Sequence, residues 1–497
     1  MRQKFTSTGA ALLVIAATVL TTAFLFPGDS SFINDEPMLI QRAFTANHQP
    51  GKLLGISLPF TPARLGLAGT RGASYGPLPI WSDQILLALT HNNLVAMVAI
   101  HALLFSTIVA IAMLWLARSM GLSPWFAALS MFSPWLWRYS RSLWDNNLLI
   151  PLAALAVAAY ADFLLTHRKR SLTLAAICLA AMTLIHLMCL SLIAGMAVHF
   201  VIFHRMWLRR FLGPLLWVAL FWALLFIPYL IAMYQHPEPP NYAEHESALQ
   251  GWWHPLAGAQ HLTAQHWLPR TRDYYPLLFR LCEKITFLAY LAPPLGMALV
   301  LFRFAKRSRG AGFTPVDHLA LMCFFVAVCQ GLLDGVLRIE LLPHYFNATW
   351  IVYVVLAWYA IDALRQSRFK PMLTVSLPVT AYVSAALVVL TMSIFFIHIN
   401  AGTRTIDFGT VLEEQIRAAH QIAQFSPDSP LVVTNRQWTL YPEALNNLLA
   451  VQPPPAGGSP RRRITIRFLT ENPHDAHLHV EVAPPVAFIG PIHRPHL

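Results

Sequence analysis

Two adjacent carboxylates, Asp35 and Glu36, follow the first apolar run of the chain, in the segment SFINDEPMLIQRAF. A carboxylate near a membrane surface can act as a general base toward an acceptor hydroxyl or amine, because partial desolvation raises its pKa toward neutrality. The same residues make a good helix start, with Asn34 or Asp35 as the N-cap and Glu36 and Pro37 in the first turn. Capping and catalysis are compatible, so both interpretations stay open.

A second polar set lies in RYSRSLWDNNLLIP, residues 138–151, between two apolar runs. Arg138 and Arg141 could pair with a phosphate, while Asp145, Asn146 and Asn147 offer hydrogen bonds at the start of the next helix. The alternative is an interfacial loop with snorkelling arginines and an ordinary helix cap. An anionic ligand is the functional prediction for this segment.

Further polar residues lie at the edges of apolar runs. Arg338, His344 and Tyr345 belong to VLRIELLPHYFNATW, and His186 lies at a tight turn between two short runs. Charged groups so close to a membrane core are costly and often functional, although a lone interfacial His or Tyr is more often an anchor. Tyr75 lies in the Gly/Pro turn TRGASYGPLPIW, which is either a ligand-binding turn or a plain turn before a helix.

Five histidines occur between residues 235 and 275, namely His236, His245, His254, His261 and His266. Their intervals fit neither the i, i+4 helical pair nor the short-loop spacings of a zinc site. The sequence therefore predicts no metal site.

The composition is that of an integral membrane protein. Of the 497 residues, 56% are hydrophobic and only 12% are charged, whereas soluble domains carry roughly 25% charged residues. About eleven runs approach the length of roughly 20 residues that spans a bilayer. They cover about 10–26, 94–117, 123–137, 147–166, 171–187, 188–204, 211–234, 283–304, 316–337, 345–364 and 373–399.

Short basic loops predict the orientation of these spans. Residues 167–170, 204–210, 303–309 and 365–370 fall on the same side as the N-terminus, and the positive-inside rule makes that side cytoplasmic. The long loops 27–93 and 235–282 then lie outside. The net charge of +12 thus reflects topology, and its dispersal over several loops argues against nucleic-acid binding.

The composition changes after residue 400. Residues 1–400 are predicted to form one transmembrane domain, and residues 401–497 a small α/β appendage outside the membrane. Within the appendage, DFGTVLEEQIRAAHQIAQF and YPEALNNLLAV read as helices, whereas PLVVTN, RRITIRFLT and HLHVEV read as strands. The predicted fold class is therefore an α-helical polytopic membrane protein with a C-terminal α/β extramembrane domain.

The order of these motifs over residues 10–400 resembles the GT-C membrane glycosyltransferases, and most closely the protein mannosyltransferase and lipid A aminoarabinose transferase superfamily. The resemblance is carried by the acidic pair, the Gly/Pro turn, SRSLWDNNLLIP, the His at a short outer turn and PHYFNATWIVY. This chain departs from the family pattern in two places. Pro37 directly follows the acidic pair, and the family's His-Pro-Pro-Leu-like turn is replaced by Gly-Pro-Leu-Pro, residues 76–79.

The resemblance implies an inverting transfer of a sugar from a polyprenyl-phosphate donor to an acceptor at the outer face of a bacterial inner membrane. Asp35 would be the catalytic base, with Glu36 as its partner or alternate. Arg141, Asn146 and Asn147 would face the donor, assisted by Arg138 or Arg338, and His344 and Tyr345 would lie at the lipid phosphate.

Several points stay open at the level of the sequence. The resemblance implies no metal or nucleotide cofactor for the reaction. The acceptor is a lipid, a glycan or a protein, and membrane lipids surround the chain. One alternative is a transporter or flippase for a lipid-linked saccharide, and another is a membrane scaffold whose outer domain binds a partner.

Overall fold

The structure is a computed structural model. Its longest continuous described range is residues 76–235, and shorter described ranges lie before and after it. The described residues are 2–30, 32, 36–48, 76–235, 291–307, 312–337, 343–365, 376, 379, 412–413, 415–416, 464–470 and 476–482. The helices are α1 Arg2–Phe24, α2 Glu36–His48, α3 Pro77–Leu89, α4 Leu94–Ser119, α5 Pro124–Met131, α6 Pro134–Arg141, α7 Leu149–Thr166, α8 Lys169–Thr183, α9 Leu190–His204, α10 Leu208–Gln235, α11 Ala292–Arg307, α12 Pro315–Leu337 and α13 Trp350–Arg365.

Four helical stretches of the described chain are long and apolar enough to cross a membrane. They are Leu94–Ser119, Asp145–Thr166, Leu187–Ile227 and Pro315–Gly335, and shorter apolar helices cover Thr8–Phe24 and Trp350–Leu364. All of them overlap predicted spans. The predicted total of eleven spans stays a prediction, because several of the runs lie wholly or partly outside the described residues.

The predicted span 123–137 is divided into α5 and α6. Phe132 and Ser133 separate the two helices, and Pro134 is the first residue of α6. Proline has no N–H to continue a helix, and its ring disfavours the helical conformation of the residue before it. The second of these helices extends to Arg141, so residues 138–141 of the polar segment 138–151 are helical. Short 3₁₀ turns of three or four residues lie between α-helices at Asp145–Leu148, Leu187–Cys189, Arg205–Trp207 and Pro343–Phe346.

Alanine-rich α7 forms the centre of the bundle. It packs against α4, α8 and α12, and most of its residues are buried, including Tyr160 and Phe163. Small side chains let neighbouring helices approach closely, which is how helices associate where lipid removes most of the hydrophobic driving force. The bundle therefore depends on close packing of its helices.

The helix start predicted at the acidic pair is confirmed, because α2 begins at Glu36. Leu39, Ile40 and Ala43 of this helix are buried, and α2 packs against α3. Two hydrogen bonds of 3.0 Å join the two helices, because the Asn47 amide donates to the Gln84 carbonyl and the Gln84 amide donates to Asn47 Oδ1. The first loop thus contributes a helical pair to the end of the bundle.

The C-terminal region is described only in part. The strands β1 Ile464–Thr470 and β2 Ala476–Val482 pair antiparallel, with Ile464 opposite Val482. The strand β1 falls within the predicted segment RRITIRFLT, and β2 covers HLHVEV with one further residue, Ala476, at its start. The segment PLVVTN and the helix YPEALNNLLAV lie outside the described residues, and the α/β domain as a whole stays a prediction.

Close approach of α9 and α12 depends on Gly195. A Cβ atom at this position would lie 2.4 Å from the Cα atom of Val326, whereas a Cβ at Gly213 in α10 would meet nothing within 4 Å. We therefore expect Gly195→Ala to destabilise the chain by about 1–3 kcal/mol through overpacking. Gly213→Ala is the matched control. Because Ala has a higher helix propensity than Gly, the stability of this variant should equal or slightly exceed that of the parent.

The measurement is thermal unfolding of both variants in detergent, followed by tryptophan fluorescence. Equal unfolding temperatures for Gly195→Ala and Gly213→Ala would contradict the close packing of α9 on α12.

Candidate active site

Three carboxylates are buried together at one end of the bundle, which we call the carboxylate end. Glu36 is the first residue of α2, Asp83 lies in α3 and Asp145 begins the turn before α7, with side chains that are 2%, 5% and 1% exposed. Three separate segments therefore bring negative charge to one place. A group of this kind is costly to bury and is typical of functional sites.

The electrostatics of the cluster centre on Asp83. Burial raises the pKa of Asp83 well above its ordinary value, and the negative charges of Asp145 and Glu36 raise it further. Its Oδ2 atom has no hydrogen-bond partner among the described residues. The Asp83 side chain is therefore a protonatable group in an apolar setting.

Glu36 is held in place by the segment that precedes α7. The Ser142 hydroxyl donates a hydrogen bond to Glu36 Oε1, and the Asn147 amide donates to the Ser142 carbonyl at 2.9 Å. The α2 carboxylate is thus fixed by the same segment that carries Asp145.

Arg141 connects α6 to the end of the first helix. Its side chain is only 5% exposed, donates a hydrogen bond to the Phe26 carbonyl and lies 4.8 Å from the ring centroid of Trp137. The Ser30 hydroxyl donates to the Arg141 carbonyl in return. Arg141 therefore fixes the turn 27–29 beside the acidic cluster.

Arg138, His186 and His344 form a second polar group at the same end. Burial lowers the pKa of His344 to about 3, and the nearby His186 and Arg138 contribute to this shift, so the His344 imidazole is neutral at pH 7. The Trp144 ring centroid is 4.3 Å from that of His344, and Tyr345 is in edge contact at 4.4 Å. Because Trp144 lies two residues from Ser142, this polar group borders the carboxylates.

The amides of Asn146 and Asn147 are fully buried and contact Asn347. The Asn347 amide donates to Asn146 Oδ1 at 3.2 Å and to Asn147 Oδ1 at 3.4 Å, while the Trp135 indole donates to Asn347 Oδ1 at 2.9 Å. These bonds tie the turn before α7 to the turn before α13. Asn146 and Asn147 thus brace the site from inside the protein, and their predicted contact with the donor stays a prediction.

The predicted Gly/Pro turn holds the His186 turn in place. The Gly76 N–H donates to the Ile185 carbonyl at 3.1 Å, and the Leu78 N–H donates to the Leu184 carbonyl at 3.2 Å. A Cβ atom at Gly76 would lie 1.8 Å from the Leu184 oxygen. Glycine is therefore required where the backbone entering α3 meets the segment before His186.

The segment after the last predicted span also reaches the carboxylate end. The Leu412 N–H donates to the Ser30 carbonyl at 2.9 Å, and the Gln415 amide donates to the Phe32 carbonyl at 3.0 Å. Leu412 and Gln415 are both helical and buried. The start of the C-terminal region thus packs beside the turn that Arg141 fixes.

The described part of the chain places eight predicted site residues at the carboxylate end. They are Glu36, Arg138, Arg141, Asn146, Asn147, His186, His344 and Tyr345. Asp35, Tyr75 and Arg338 lie outside the described residues, and the assigned roles of all eleven stay predictions.

Sequence reasoning missed Asp83 and Asn347. Asp83 carried a usable signal, since it is an acidic residue inside the otherwise apolar helix PLPIWSDQILLAL. The Asn347 side chain carried none, because its partners are about 200 positions away and only packing brings them together.

A cavity of about 510 Å³ lies away from these groups, where α4, α7 and α8 meet the short basic loop. Arg118, Arg168, Arg170 and Asp162 are among its lining residues. We call this end of the bundle, with residues 167–170 and 204–210, the basic end. The cavity shares no residue with the candidate site.

The raised pKa of Asp83 has a consequence for stability. Because the folded pKa exceeds the ordinary value of about 4, folding favours the protonated acid, and stability falls as pH rises from about 4 toward the folded pKa. Asn keeps the shape and cannot ionise. We therefore expect Asp83→Asn to raise the unfolding temperature relative to the parent, by an amount that increases with pH above about 4.

The measurement is thermal unfolding in detergent across a pH series. Ser82→Ala, at the neighbouring position, is the control and should shift the unfolding temperature equally at every pH. A pH-independent difference for Asp83→Asn would mean that its carboxyl is not desolvated.

Comparison with known proteins places this geometry in a known fold. No family model and no curated protein matches the sequence. The crystal structure of ArnT from Cupriavidus metallidurans bound to undecaprenyl phosphate is similar, with a TM-score of 0.54 at 14% identity, over 97% of this chain and 100% of that chain. The apo structure of the same protein gives 0.50 at 14% identity, over 93% of each chain.

A third structure, the Archaeoglobus fulgidus oligosaccharyltransferase in complex with Zn and sulfate, covers 84% of this chain and 56% of that chain at 13% identity. Its TM-score of 0.47 is too low to argue a common fold. At 14% identity the ArnT structures show the fold alone, and they confirm the resemblance predicted from the motifs at that level. The chain is therefore a helical membrane protein with the fold of the two ArnT structures.

Proposed function

We propose that this chain is an inverting glycosyltransferase that moves a sugar from a polyprenyl-phosphate donor to an acceptor at the outer face of the membrane. The observation that carries the proposal is the pairing, at one end of the bundle, of a buried carboxylate cluster with a group of phosphate-binding residue types. The fold supports it, because ArnT with this fold was crystallised with undecaprenyl phosphate.

The carboxylate side supplies the base. Glu36 is buried and already accepts a hydrogen bond from Ser142, which suits a fixed partner more than a mobile base. Asp35 immediately precedes it in the sequence. We assign Asp35 as the base that takes the proton of the acceptor, with Glu36 holding the start of α2 in position.

The polyprenyl phosphate leaves on the side of the sugar opposite the carboxylates, where Arg138 and His344 lie. A sugar phosphate leaves as a stable anion, so this step needs cations and hydrogen-bond donors but no general acid. Arg138 is partly exposed and lies with His186 and His344. A neutral His344 would donate an N–H to the phosphate, and Arg138 would supply the positive charge. Tyr345 is assigned to the lipid phosphate from the resemblance, and Arg338 is assigned a supporting positive charge at the departing phosphate.

Inversion follows from this arrangement. The acceptor oxygen attacks C1 from the carboxylate side, the bond from C1 to the phosphate oxygen breaks on the other side, and the acceptor proton passes to Asp35. Holding both reactants in line supplies a large part of the rate enhancement. The reaction, as proposed, requires no metal or nucleotide cofactor.

The orientation follows from charge. The loops 167–170 and 204–210, which are rich in arginine, lie at one end of the bundle. The carboxylates of Glu36, Asp83 and Asp145 lie at the other end. The positive-inside rule then places the basic end in the cytoplasm and the carboxylate end outside, in a bacterial inner membrane. Contacts of Leu412 and Gln415 at the carboxylate end support a C-terminal region on the outer side.

The test is mass spectrometry of the polyprenyl-phosphate sugar pool in cells that express the parent chain or Asp35→Asn. The parent should deplete one lipid-linked sugar, and Asp35→Asn at equal level should let it accumulate, since loss of a general base costs about 100-fold or more in rate. Glu36→Gln should act in the same direction with a smaller effect, because its amide oxygen can still accept from Ser142.

Asp162→Asn is the matched control. Its carboxylate lies at the basic end, where it accepts a hydrogen bond from the Ser171 hydroxyl, so its sugar pool should equal that of the parent. Equal pools for the parent and Asp35→Asn would reject Asp35 as the base. Equal pools for the parent, Asp35→Asn and Glu36→Gln would reject the transferase and favour the alternative of a transporter or flippase for a lipid-linked saccharide.

A further inference from the structure

Three histidines converge at the basic end of the bundle. His199 and His204 belong to α9, and His318 lies in the first turn of α12. One ring nitrogen from each lies within 4.8 Å of the other two. The fifteen residues of α9 span about 22 Å and begin just after the His186 turn, so this histidine cluster lies a helix length away from the carboxylate end.

His199 has one nitrogen engaged and one available. Its side chain is 0% exposed, and its Nδ1 lies 2.8 Å from the hydroxyl of Tyr160, which is itself buried. Its Nε2 has no hydrogen-bond partner among the described residues. When the Tyr160 oxygen accepts from Nδ1–H, the lone pair of Nε2 is left to bind a ligand.

His204 repeats this pattern. It is 8% exposed, and its Nε2 also has no hydrogen-bond partner in the described part of the chain. Buried polar side-chain atoms almost always have a partner in protein structures. Two such nitrogens within one histidine cluster therefore indicate that something binds between them.

The surroundings favour a metal ion over an anion or a carboxylate partner. Phe163, Phe203 and Phe313 contact the histidines with ring centroids 4.8 to 5.8 Å away. Asp317 is not available as a ligand, because its carboxylate accepts from Arg303 at 2.8 Å and from the Tyr359 hydroxyl at 2.5 Å. Three imidazoles in an apolar shell form a donor set that suits zinc.

We propose that His199, His204 and His318 bind a zinc ion that links α9 to α12, with a water molecule as the fourth ligand. In a tetrahedral site with Zn–N distances of about 2.0–2.1 Å the ligand nitrogens lie about 3.3 Å apart. Small side-chain rotations therefore close the group onto the ion. Tyr160 acts as the positioning residue for His199. The site is independent of the proposed transferase, which uses the opposite end.

The spacing of the three histidines in the sequence does not indicate a metal site. His199 and His204 are five residues apart, and the third ligand comes from another helix. The prediction of no metal site was based only on the histidines of residues 235–275. Antiparallel packing of α9 on α12 brings His199, His204 and His318 together.

The test uses the full chain, purified in detergent and stripped of metal with a chelator. We expect about one Zn²⁺ to bind per chain, measured by elemental analysis after gel filtration. Co²⁺ in its place should give the visible absorption of a tetrahedral nitrogen site. His204→Gln and His318→Gln should each lose this binding.

The matched control is His167→Asn. His167 neighbours the cluster and stacks on Trp207 with centroids 4.9 Å apart, and its positive φ of 52° suits Asn. This variant should retain one metal per chain. Loss of binding in His167→Asn to the same degree as in His204→Gln would overturn the assignment of the three ligands.

Tyr160→Phe tests the positioning role. Loss of a hydrogen bond to a ligating imidazole typically weakens metal affinity about 10- to 100-fold, and Co²⁺ titration should show this change. A purely structural Tyr160 would leave the affinity at the parent value. A stripped parent chain that keeps its unfolding temperature and binds neither Zn²⁺ nor Co²⁺ would overturn the proposal without reliance on any variant.

Discussion

Burial of negative charge at one end of an apolar bundle is the constraint on which this structure depends. Glu36, Asp83 and Asp145 come from three segments and lose nearly all contact with solvent. Like charges in a setting of low polarity repel strongly, and the raised pKa of Asp83 is one response to that repulsion. The hydrogen bond from Ser142 to Glu36 is another. Only a rigid surrounding can hold such a group together.

The rigidity comes from backbone contacts and buried amides. Gly76 lets the start of α3 pair with the chain before His186, and Asn347 ties the turn before α7 to the turn before α13. Each contact joins segments that are far apart in the sequence. The polar groups at the carboxylate end are therefore positioned by the helix termini and turns of the bundle, as is common for functional sites on rigid scaffolds.

The two ends of the bundle differ in chemistry. The carboxylate end combines acidic groups with Arg138 and neutral His344, which fits a reaction in which a proton is removed on one side and an anion leaves on the other. The basic end combines arginines with a buried cluster of imidazoles. Separation by the length of α9 lets each end be studied without disturbing the other.

The sequence by itself determined the membrane class, the approximate positions of most described helices and the segments that carry the site, because apolar length and charge placement are local properties. It also identified the GT-C resemblance from motif order. Asp83 was visible in the sequence as an acidic residue in an otherwise apolar helix. The contacts of Asn347 and the grouping of His199 with His318 could not be found from the sequence. Those depend on which helix faces meet, and packing between segments far apart in the chain decides that.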